Sequence, residues 1–374
     1  MPQHDVGLFA TELSAKLAPR SRHVCVLLGA GASRACGLPD VSELQTKVLK
    51  SLGAQEKAAF QTQLAGGRNL EQALSRLRRI AVLLEGSRGK IDGLTAKKAT
   101  ALDHSACRHI VSALDVNRAD AGPMLRLAAW AAQADYLLPL ELFSVNYDLL
   151  LETALERLGV PYFDGFSGSL RARFRTELVE AEPNSPEGLP AFLVRLWKLH
   201  GSVHWAWEES EVVRRGSPVP DQHPAAIYPS DTKYDESRRV PFVVLQDRFR
   251  RSMQHRETLM LITGYSFTDQ HLNEMIFDAA QRRPRSEFIA LCHRDIPTVL
   301  REKATSTPNL QALGSKEAVI GGLCEGWSAS ADVPPDLWMD DAFGLGDFGR
   351  LASFLARSSP HRGELLGGST EENV

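Results

Sequence analysis

The apolar segment HVCVLL (23–28) runs directly into the small-residue segment GAGAS (29–33). An apolar run with β-branched residues, followed by glycines and then by helix formers, predicts a strand, a tight turn and a helix. HVCVLL has no alternation of polar and apolar residues, so both faces of this strand are expected to be buried, as in a parallel sheet. This junction therefore favours an α/β fold.

Four further apolar segments have the length and composition of buried strands, and helical patterns lie between them. The strand candidates are 136–148, 192–200, 257–265 and 287–292. Two helix candidates follow the first and third of these: 149–159, with Gly159 as its C-cap, and 269–283, with Asp269 as its N-cap. Strands that alternate with helices predict a Rossmann-like, doubly wound parallel sheet.

Composition divides the rest of the chain. Apolar spacing predicts an amphipathic helix over 6–18, and the residues of 41–134 predict a helical module inserted after the first strand–helix unit. Pro, Gly, Ser and acidic residues over 161–190 indicate a loop, while 305–345 has no clear pattern. Residues 358–374 form a polar tail, which we expect to be disordered.

The overall composition is that of a globular protein. Of the 374 residues, 43% are hydrophobic and 24% are charged, and the net charge of −3 argues against a general binder of nucleic acid or of anionic membranes. Five scattered cysteines, an odd number, fit a reduced compartment. The sequence has neither the pattern of a signal peptide nor a run of about 18 apolar residues, so we expect a cytoplasmic protein without a membrane span.

Polar residues stand at the ends of three strand candidates. Asn146 and Asp148 end one, His200 ends another, and Gly264 and Ser266 follow a third. Because the carboxyl ends of strands in an open α/β sheet meet at one crevice, these residues predict a ligand site. Two of them also have structural interpretations, since Asp148 could be a helix N-cap and His200 a hydrogen-bonded structural histidine.

The GAGAS segment and the two nearby histidines allow further alternatives. A Gly-Ala-Gly turn lets the backbone approach a phosphate, but it also simply makes a tight turn. The dehydrogenase fingerprint GxGxxG is not matched, because position 34 is Arg34, and the sequence has no Walker A motif. His200 and His204 have the spacing of a metal pair on a helix, but the intervening Gly201 disfavours a helix there.

The order and spacing of four motifs resemble the sirtuin superfamily, and more closely the SIR2-like domains of bacterial anti-phage defence proteins. The motifs are GAGAS (29–33), NYD (146–148), LHGS (199–202) and GYSF (264–267), and the resemblance spans roughly residues 20–295. Shorter segments also look like parts of these domains: GLPDVSEL (37–44), NLE (69–71) and YPSDTKY (228–234).

The resemblance implies that NAD⁺ is bound as the substrate, and it implies roles for individual residues. Asn146 and His200 match the catalytic residues of the family, with Asn146 beside the nicotinamide ribose and His200 as the base. Asp148 matches the acidic residue that helps to hold the nicotinamide end. The remaining matches form the expected pocket for the pyrophosphate and the adenosine half: Gly29, Ala30, Gly31, Ser33, Gly264 and Ser266.

One departure from the deacylases of this family decides the expected activity. Their zinc ribbon has two cysteine pairs soon after the LHG motif, whereas no cysteine lies between Cys107 and Cys292 here. We therefore expect no zinc, and an NAD⁺ glycohydrolase that forms nicotinamide and ADP-ribose rather than a protein deacylase. An NAD-dependent deacylase and a non-catalytic sensor of NAD or ADP-ribose remain the alternatives.

The resemblance also implies a context. We expect residues 1–300 to form the SIR2-like NAD-binding domain, with the helical insertion at 41–134, and residues 301–374 to form a C-terminal segment available for oligomer or partner contacts. Members of this group deplete NAD⁺ in infected bacteria, form homo-oligomers and can pair with a HerA-type ATPase. We expect no direct binding to nucleic acid.

Overall fold

The structure is a computed structural model that describes residues 3–182, 185, 188–208, 211–216 and 240–358. The YPSDTKY segment (228–234) and all but the first residue of the polar tail lie outside the described residues. Within the described ranges, no helix has both the length and the apolar composition needed to cross a membrane.

The described residues form sixteen strands and thirteen α-helices. The strands are β1 (Gln3–Asp5), β2 (His23–Leu28), β3 (Glu141–Ser144), β4 (Tyr162–Phe163), β5 (Phe166–Ser167), β6 (Arg171–Phe174), β7 (Val194–Lys198), β8 (Trp205–Glu208), β9 (Glu211–Arg215), β10 (Thr258–Thr263), β11 (Glu287–Leu291), β12 (Leu310–Leu313), β13 (Glu317–Ile320), β14 (Leu323–Ser328), β15 (Trp338–Met339) and β16 (Ala342–Phe343). The helices are α1 (Val6–Leu17), α2 (Ala30–Ala35), α3 (Val41–Ser51), α4 (Ala54–Leu64), α5 (Leu70–Leu83), α6 (Ala96–Ala113), α7 (Gly122–Gln133), α8 (Leu150–Arg157), α9 (Thr176–Glu180), α10 (Phe242–Ser252), α11 (Gln270–Arg282), α12 (Thr298–Ser306) and α13 (Phe348–Arg357).

A ten-stranded sheet carries the fold, in the order β1-β14-β13-β12-β11-β10-β2-β3-β7-β4. The strands from β12 to β4 in this order are all parallel, and β13 pairs antiparallel with both β12 and β14. Among them, β7-β3-β2-β10-β11-β12 has the 3-2-1-4-5-6 order of dinucleotide-binding Rossmann sheets. The predicted Rossmann-like parallel sheet is thus confirmed, and the chain reverses direction across the sheet between β2 and β10.

The fully apolar β2 explains how two layers of helices cover this sheet. Val24, Val26 and Leu28 enter a core on one face with residues of α1, α7, α8 and α13. Cys25 and Leu27 point to the other face, where they join residues of α10, α11 and α12. Because successive strand residues point to opposite faces, a strand buried on both sides needs an apolar residue at every position.

Local signals begin and end the helices that lead to the site. The side chain of Asp269 accepts hydrogen bonds from the backbone N–H groups of His271 and Leu272, so the predicted N-cap of α11 is confirmed. Helix α8 stops before Gly159, whose φ of 66° is one that a glycine adopts without strain. These two helices follow β10 and β3, and their starts lie at the carboxyl edge of the sheet.

The segment 41–134 is helical, but its helices belong to two different cores. Helices α3 to α6 pack on one another around Phe60, Leu74 and Ile110. The last helix, α7, instead buries Leu127 and Trp130 in the core beneath the sheet. The module with its own core therefore ends at about residue 114, and α7 is the crossover helix that leads to β3.

The expectation of a loop over 161–190 is wrong in part. It contains β4, β5, β6 and α9, and β5 and β6 belong to a second sheet of order β5-β6-β9-β8. This sheet buries aromatic side chains, with the rings of Phe166 and Trp205 4.8 Å apart. Strands of two to five residues that pair across a gap of about 40 positions leave little periodicity for a sequence to reveal.

The segment 305–345, which had no clear pattern, continues the main fold. Strand β12 ends the parallel run that starts at β4, β13 and β14 extend the sheet through antiparallel pairs, and β1 from the start of the chain pairs parallel with β14. Helix α13 packs in the same core as α7. Residues 301–358 therefore share the sheet and the core of the residues before them.

Candidate functional site

Three glycines bring the ends of β2 and β10 together at the point where the strand order reverses. The backbone N–H of Gly29 donates to the carbonyl of Thr263, and that of Gly31 donates to the carbonyl of Gly264, both at 2.9 Å. A Cβ atom on Gly29 would clash with the Gly264 carbonyl oxygen, and one on Gly31 would lie 2.7 Å from the Gly264 Cα. The glycines are needed because one backbone passes directly against another.

This contact changes the interpretation of the Gly-Ala-Gly turn. The N–H of Gly31 is already used within the protein, so it is not a free donor for a phosphate. Ala30 and Ser33 line the adjoining cleft, whereas Gly29, Gly31 and Gly264 are not among its lining residues. The turn therefore acts first as the joint between two strand ends.

A short hydrogen-bonded chain fixes Asn146 in this cleft. The amide nitrogen of Asn146 donates to the carbonyl of Gly29 at 2.9 Å and to the hydroxyl of Ser33 at 2.8 Å. Ser33 in turn donates to Asp148 Oδ2 at 2.6 Å. Because a carbonyl can only accept, the amide nitrogen must face Gly29, and Oδ1 of Asn146 is left to accept from another group.

Asp148 is the last residue of this series of hydrogen bonds, and it is held by the backbone of α8. Its Oδ1 accepts from the backbone N–H of Leu150 at 3.0 Å, while Oδ2 holds Ser33, and the residue is 4% exposed. The prediction of Asp148 as the N-cap is wrong, because the N-cap of α8 is Leu149. Asp148 instead lies one residue earlier, where it accepts from the first residue of α8 and orients Ser33 beside the cleft.

A buried ion pair lies next to Asp148. Nζ of Lys198 donates to the backbone carbonyl of Asp148 and lies 3.3 Å from Oε1 of Glu152. Burial raises the pKa of Glu152, and the charge of Lys198 opposes that shift. Both side chains are almost completely buried, and the pair joins the end of β7 to α8.

His200 reaches the same cleft from the end of β7 and pairs with a carboxylate. Its Nε2 lies 3.2 Å from Oδ2 of Asp269, and both side chains are mostly buried. The other oxygen of Asp269 caps α11, as described above. Asp269 was predicted only as an N-cap, and its second role could not be read from the sequence because β7 and α11 are about 70 residues apart.

The helical module forms the opposite wall of the cleft. Glu71, near the start of α5, accepts a hydrogen bond from the hydroxyl of Tyr147 at 2.8 Å. Burial and the neighbouring Glu71 raise the pKa of Tyr147, so its hydroxyl stays protonated and donates. Asn69 and Gln72 also line the cleft and form the capping box of α5. The NLE segment noted in the sequence thus lies at the site.

The cleft has a volume of about 250 Å³ and an acidic lining. Three carboxylates and one imidazole line it: Glu71, Asp148, Asp269 and His200. Among its described lining residues, none is Lys or Arg. The lining therefore suits a cationic group better than a phosphate.

The structure brings six of the nine site residues predicted from the sequence to the lining of one cleft. These six are Ala30, Ser33, Asn146, Asp148, His200 and Ser266, and the other three are the glycines of the strand-end joint. Ser266 contacts Thr268 through their hydroxyls at 2.9 Å. The sequence analysis missed Asp269, Glu71 and Tyr147 as parts of the site.

One group of metal-ligating residue types lies elsewhere among the described residues. His23, Cys25 and Glu141 are buried together, beside the ends of β2 and β3 opposite the cleft. Glu141 accepts two hydrogen bonds from Arg248, at 2.7 and 2.8 Å, and one from Trp197 at 2.6 Å, and His23 lies 3.0 Å away. These contacts occupy the lone pairs of the carboxylate, and the charge of Arg248 opposes a nearby metal ion.

The fold is α/β, and the cleft lies at the switch point of a Rossmann-like sheet, where proteins of this architecture bind ligands. Residues 140–313 match the model of the SIR2-like domain, a range that runs from the start of β3 to β12 and includes Asn146, His200 and Asp269. This match supports the SIR2-like superfamily and implies an activity related to NAD. No curated protein matches the chain.

Proposed function

We propose that the protein is an NAD⁺ glycohydrolase, which cleaves NAD⁺ to nicotinamide and ADP-ribose. The observation that carries this proposal is the acidic cleft in which Asn146 and the His200–Asp269 pair stand at neighbouring strand ends. The SIR2-like match supplies the NAD-related activity, and the cleft supports the choice of bond.

The charge of the cleft suits the end of NAD⁺ where the bond breaks. The nicotinamide ring of NAD⁺ is a pyridinium cation, and positive charge moves onto the ribose as the glycosidic bond lengthens. Carboxylates around the cleft attract this positive charge more strongly than they would in water, because the cleft is partly closed to solvent. The attraction therefore stabilises the transition state, in which the charge develops on the ribose. A diphosphate placed among the same carboxylates would be repelled.

The size of the cleft supports the same orientation. Pockets that enclose most of a drug-sized ligand measure about 300–1,000 Å³. At about 250 Å³, this cleft encloses one end of a dinucleotide rather than the whole molecule. We assign the cleft to the nicotinamide and its ribose. Ala30, Ser33 and Ser266 would lie on the side where the rest of the bound NAD⁺ extends out of the cleft.

In the proposed mechanism, two side chains act on the reacting atoms. Oδ1 of Asn146 orients the ribose or the attacking water, since its amide nitrogen is held by Gly29 and Ser33. His200 takes a proton from that water or from a ribose hydroxyl, which is worth about 10²–10⁴-fold in rate. Water then forms a bond to the anomeric carbon, and nicotinamide leaves as a neutral molecule.

The biological role that we propose is depletion of NAD⁺ in bacterial anti-phage defence. An unregulated enzyme of this kind would harm its own cell, so its activity must depend on assembly or on a partner. We propose a homo-oligomer and, as the partner, a HerA-type ATPase. Size-exclusion chromatography with light scattering, with and without the partner, tests both.

The activity is tested by incubating the purified protein with NAD⁺, alone and with the product of the neighbouring gene, and identifying the products by chromatography and mass. We expect nicotinamide and ADP-ribose, and a loss of about 10²–10⁴-fold in kcat for His200→Ala and for Asn146→Ala. His271→Ala is the control, because that ring is exposed at the start of α11 and outside the cleft lining.

Two results would contradict the assignment. Undiminished cleavage by His200→Ala would remove the proposed base. NAD⁺ binding without cleavage under either condition would favour the sensor, or a deacylase, which an acyl-lysine peptide added to the same reaction would reveal.

A further inference from the structure

Asp269 holds His200 in a way that determines which ring nitrogen can act as the base. Nε2 of His200 lies 3.2 Å from Oδ2 of Asp269. An ionised carboxylate only accepts hydrogen bonds, so this contact is attractive when Nε2 carries the proton. In the neutral ring the other nitrogen, Nδ1, is then the one with a free lone pair.

The carboxylate of Asp269 is itself fixed in place. Oδ1 accepts from the backbone N–H groups of His271 at 3.0 Å and Leu272 at 3.2 Å, in the first turn of α11. The backbone carbonyl of Asp269 accepts from the hydroxyl of Tyr265 at 3.2 Å. Because Oδ1 is held by the first turn of α11, Oδ2 is fixed at its position 3.2 Å from His200 Nε2.

We propose that Asp269 is a positioning residue that keeps the proton of His200 on Nε2, so that Nδ1 is the base. This inference rests on the proposed function for its consequence in catalysis, but the ring tautomer is a property of the protein alone. Asp269 thus both caps α11 and contacts His200, so it connects the end of β7 to the start of the helix that follows β10.

Asp269→Asn separates the two tasks of this residue. Asparagine is as good an N-cap as aspartate, so α11 should keep its start. Its one side-chain oxygen is needed by the cap, and its NH₂ group must therefore face His200. Since NH₂ donates, Nε2 of His200 has to accept, and the proton moves to Nδ1. The lone pair is then turned away from the position that the base requires.

The tautomer is read from long-range ¹H–¹⁵N correlation spectra of protein labelled at the histidine ring nitrogens, at a pH where the ring is neutral. His200→Gln identifies the His200 signals. We expect the proton on Nε2 in the wild type and on Nδ1 in Asp269→Asn. A wild-type ring protonated on Nδ1, or a ring that Asp269→Asn leaves unchanged, overturns the inference.

Kinetics provide the second readout. Asp269→Asn should lower kcat for NAD⁺ cleavage by about 10²–10⁴-fold with little change in KM, as the loss of an orienting carboxylate does in other enzymes. An inverted tautomer with undiminished kcat overturns the assignment of Nδ1 as the base. If the wild type cleaves no NAD⁺ but the tautomer inverts, the proposed function fails while the positioning role of Asp269 stands.

Asp347→Asn is the matched control. Asp347 caps α13 through its side chain and the backbone N–H of Arg350, at 3.0 Å, and it is not part of the cleft lining. Asp347→Asn replaces an N-cap aspartate in the same way, and the cap partner of Asp347 is a backbone N–H rather than a histidine. It should leave both the His200 spectrum and the rate unchanged, and equal effects of the two variants would reduce the role of Asp269 to helix capping.

Discussion

Replacing Gly264 with alanine tests whether the two strand ends are held together by direct backbone contact. Gly264 has a φ of 63°, which costs an alanine roughly 1–2 kcal/mol. The new Cβ would also clash with the backbone nitrogen of Ala32 and lie 3.0 Å from the Cα of Gly31. Overpacking against groups that cannot move aside costs about 1–3 kcal/mol. Together these terms predict a loss of about 2–5 kcal/mol in the free energy of unfolding.

Alanine substitutions at two other glycines measure the backbone strain and the steric contact separately. Gly159 has nearly the same φ, 66°, but a Cβ there meets nothing within 4 Å, so Gly159→Ala should show only the backbone strain of about 1–2 kcal/mol. Gly31 has an ordinary φ, and its Cβ would lie 2.7 Å from the Gly264 Cα. Gly31→Ala should therefore show the contact term, reduced by the roughly 1 kcal/mol that alanine gains over glycine in a helix.

Urea unfolding followed by circular dichroism measures all three variants. Gly264→Ala should be less stable than Gly159→Ala by about 1–3 kcal/mol, which is the cost of the backbone contact. If the two variants are equally stable, the backbones of the two turns adjust freely, and the contact does not explain why these positions are glycine. Gly264→Ala should also weaken NAD⁺ cleavage, because the joint positions Ala30 and Ser33, whereas Gly159→Ala should not.

Two further predictions concern buried charges. Burial opposes the charge on His23, but Cys25 and Glu141 outweigh it and raise the pKa of His23 to about 10. A pKa raised on folding stabilises the protein fully below the unfolded value of about 6.5, and this stability is lost as the pH rises through about 10. The free energy of unfolding should fall over that range in the wild type and less in His23→Gln, and identical pH curves would contradict the ion pair to Glu141. Lys198→Met should cost about 3–5 kcal/mol, since it leaves Glu152 buried without its partner, and adding Glu152→Met should recover most of the loss. A double variant no more stable than the single one, in thermal unfolding, would refute this explanation.

The polar side chains of the site were predictable because each follows a buried strand. Asn146, Asp148 and His200 lie directly after apolar segments, and parallel strands bring their carboxyl ends to one edge. The role of Asp269 was not predictable in this way, because its N-cap pattern fully explains its presence in the sequence. Glu71 was also hidden, since its contact with Tyr147 joins the helical module to the sheet.

The Gly-Ala-Gly turn is a second feature whose partner could not be identified from the sequence. Its glycines predict a close approach of backbone to some partner, and a phosphate is one such partner. The structure puts the Gly264 turn there instead, and the Gly31 N–H is bonded to its carbonyl. Sequence reveals that space is needed at a position, but the neighbour that uses the space comes from about 230 residues away.

By itself, the sequence determined the α/β class, the central strands of the sheet and the N-cap of α11 at Asp269, because hydrophobic periodicity and capping are local properties of the chain. Tertiary structure alone decided the second sheet, the position of α7, the His200–Asp269 pair and the acidic charge of the cleft. Each of these depends on residues distant in sequence that meet only after the chain has folded, and pairing at long range leaves no periodic trace in any one segment.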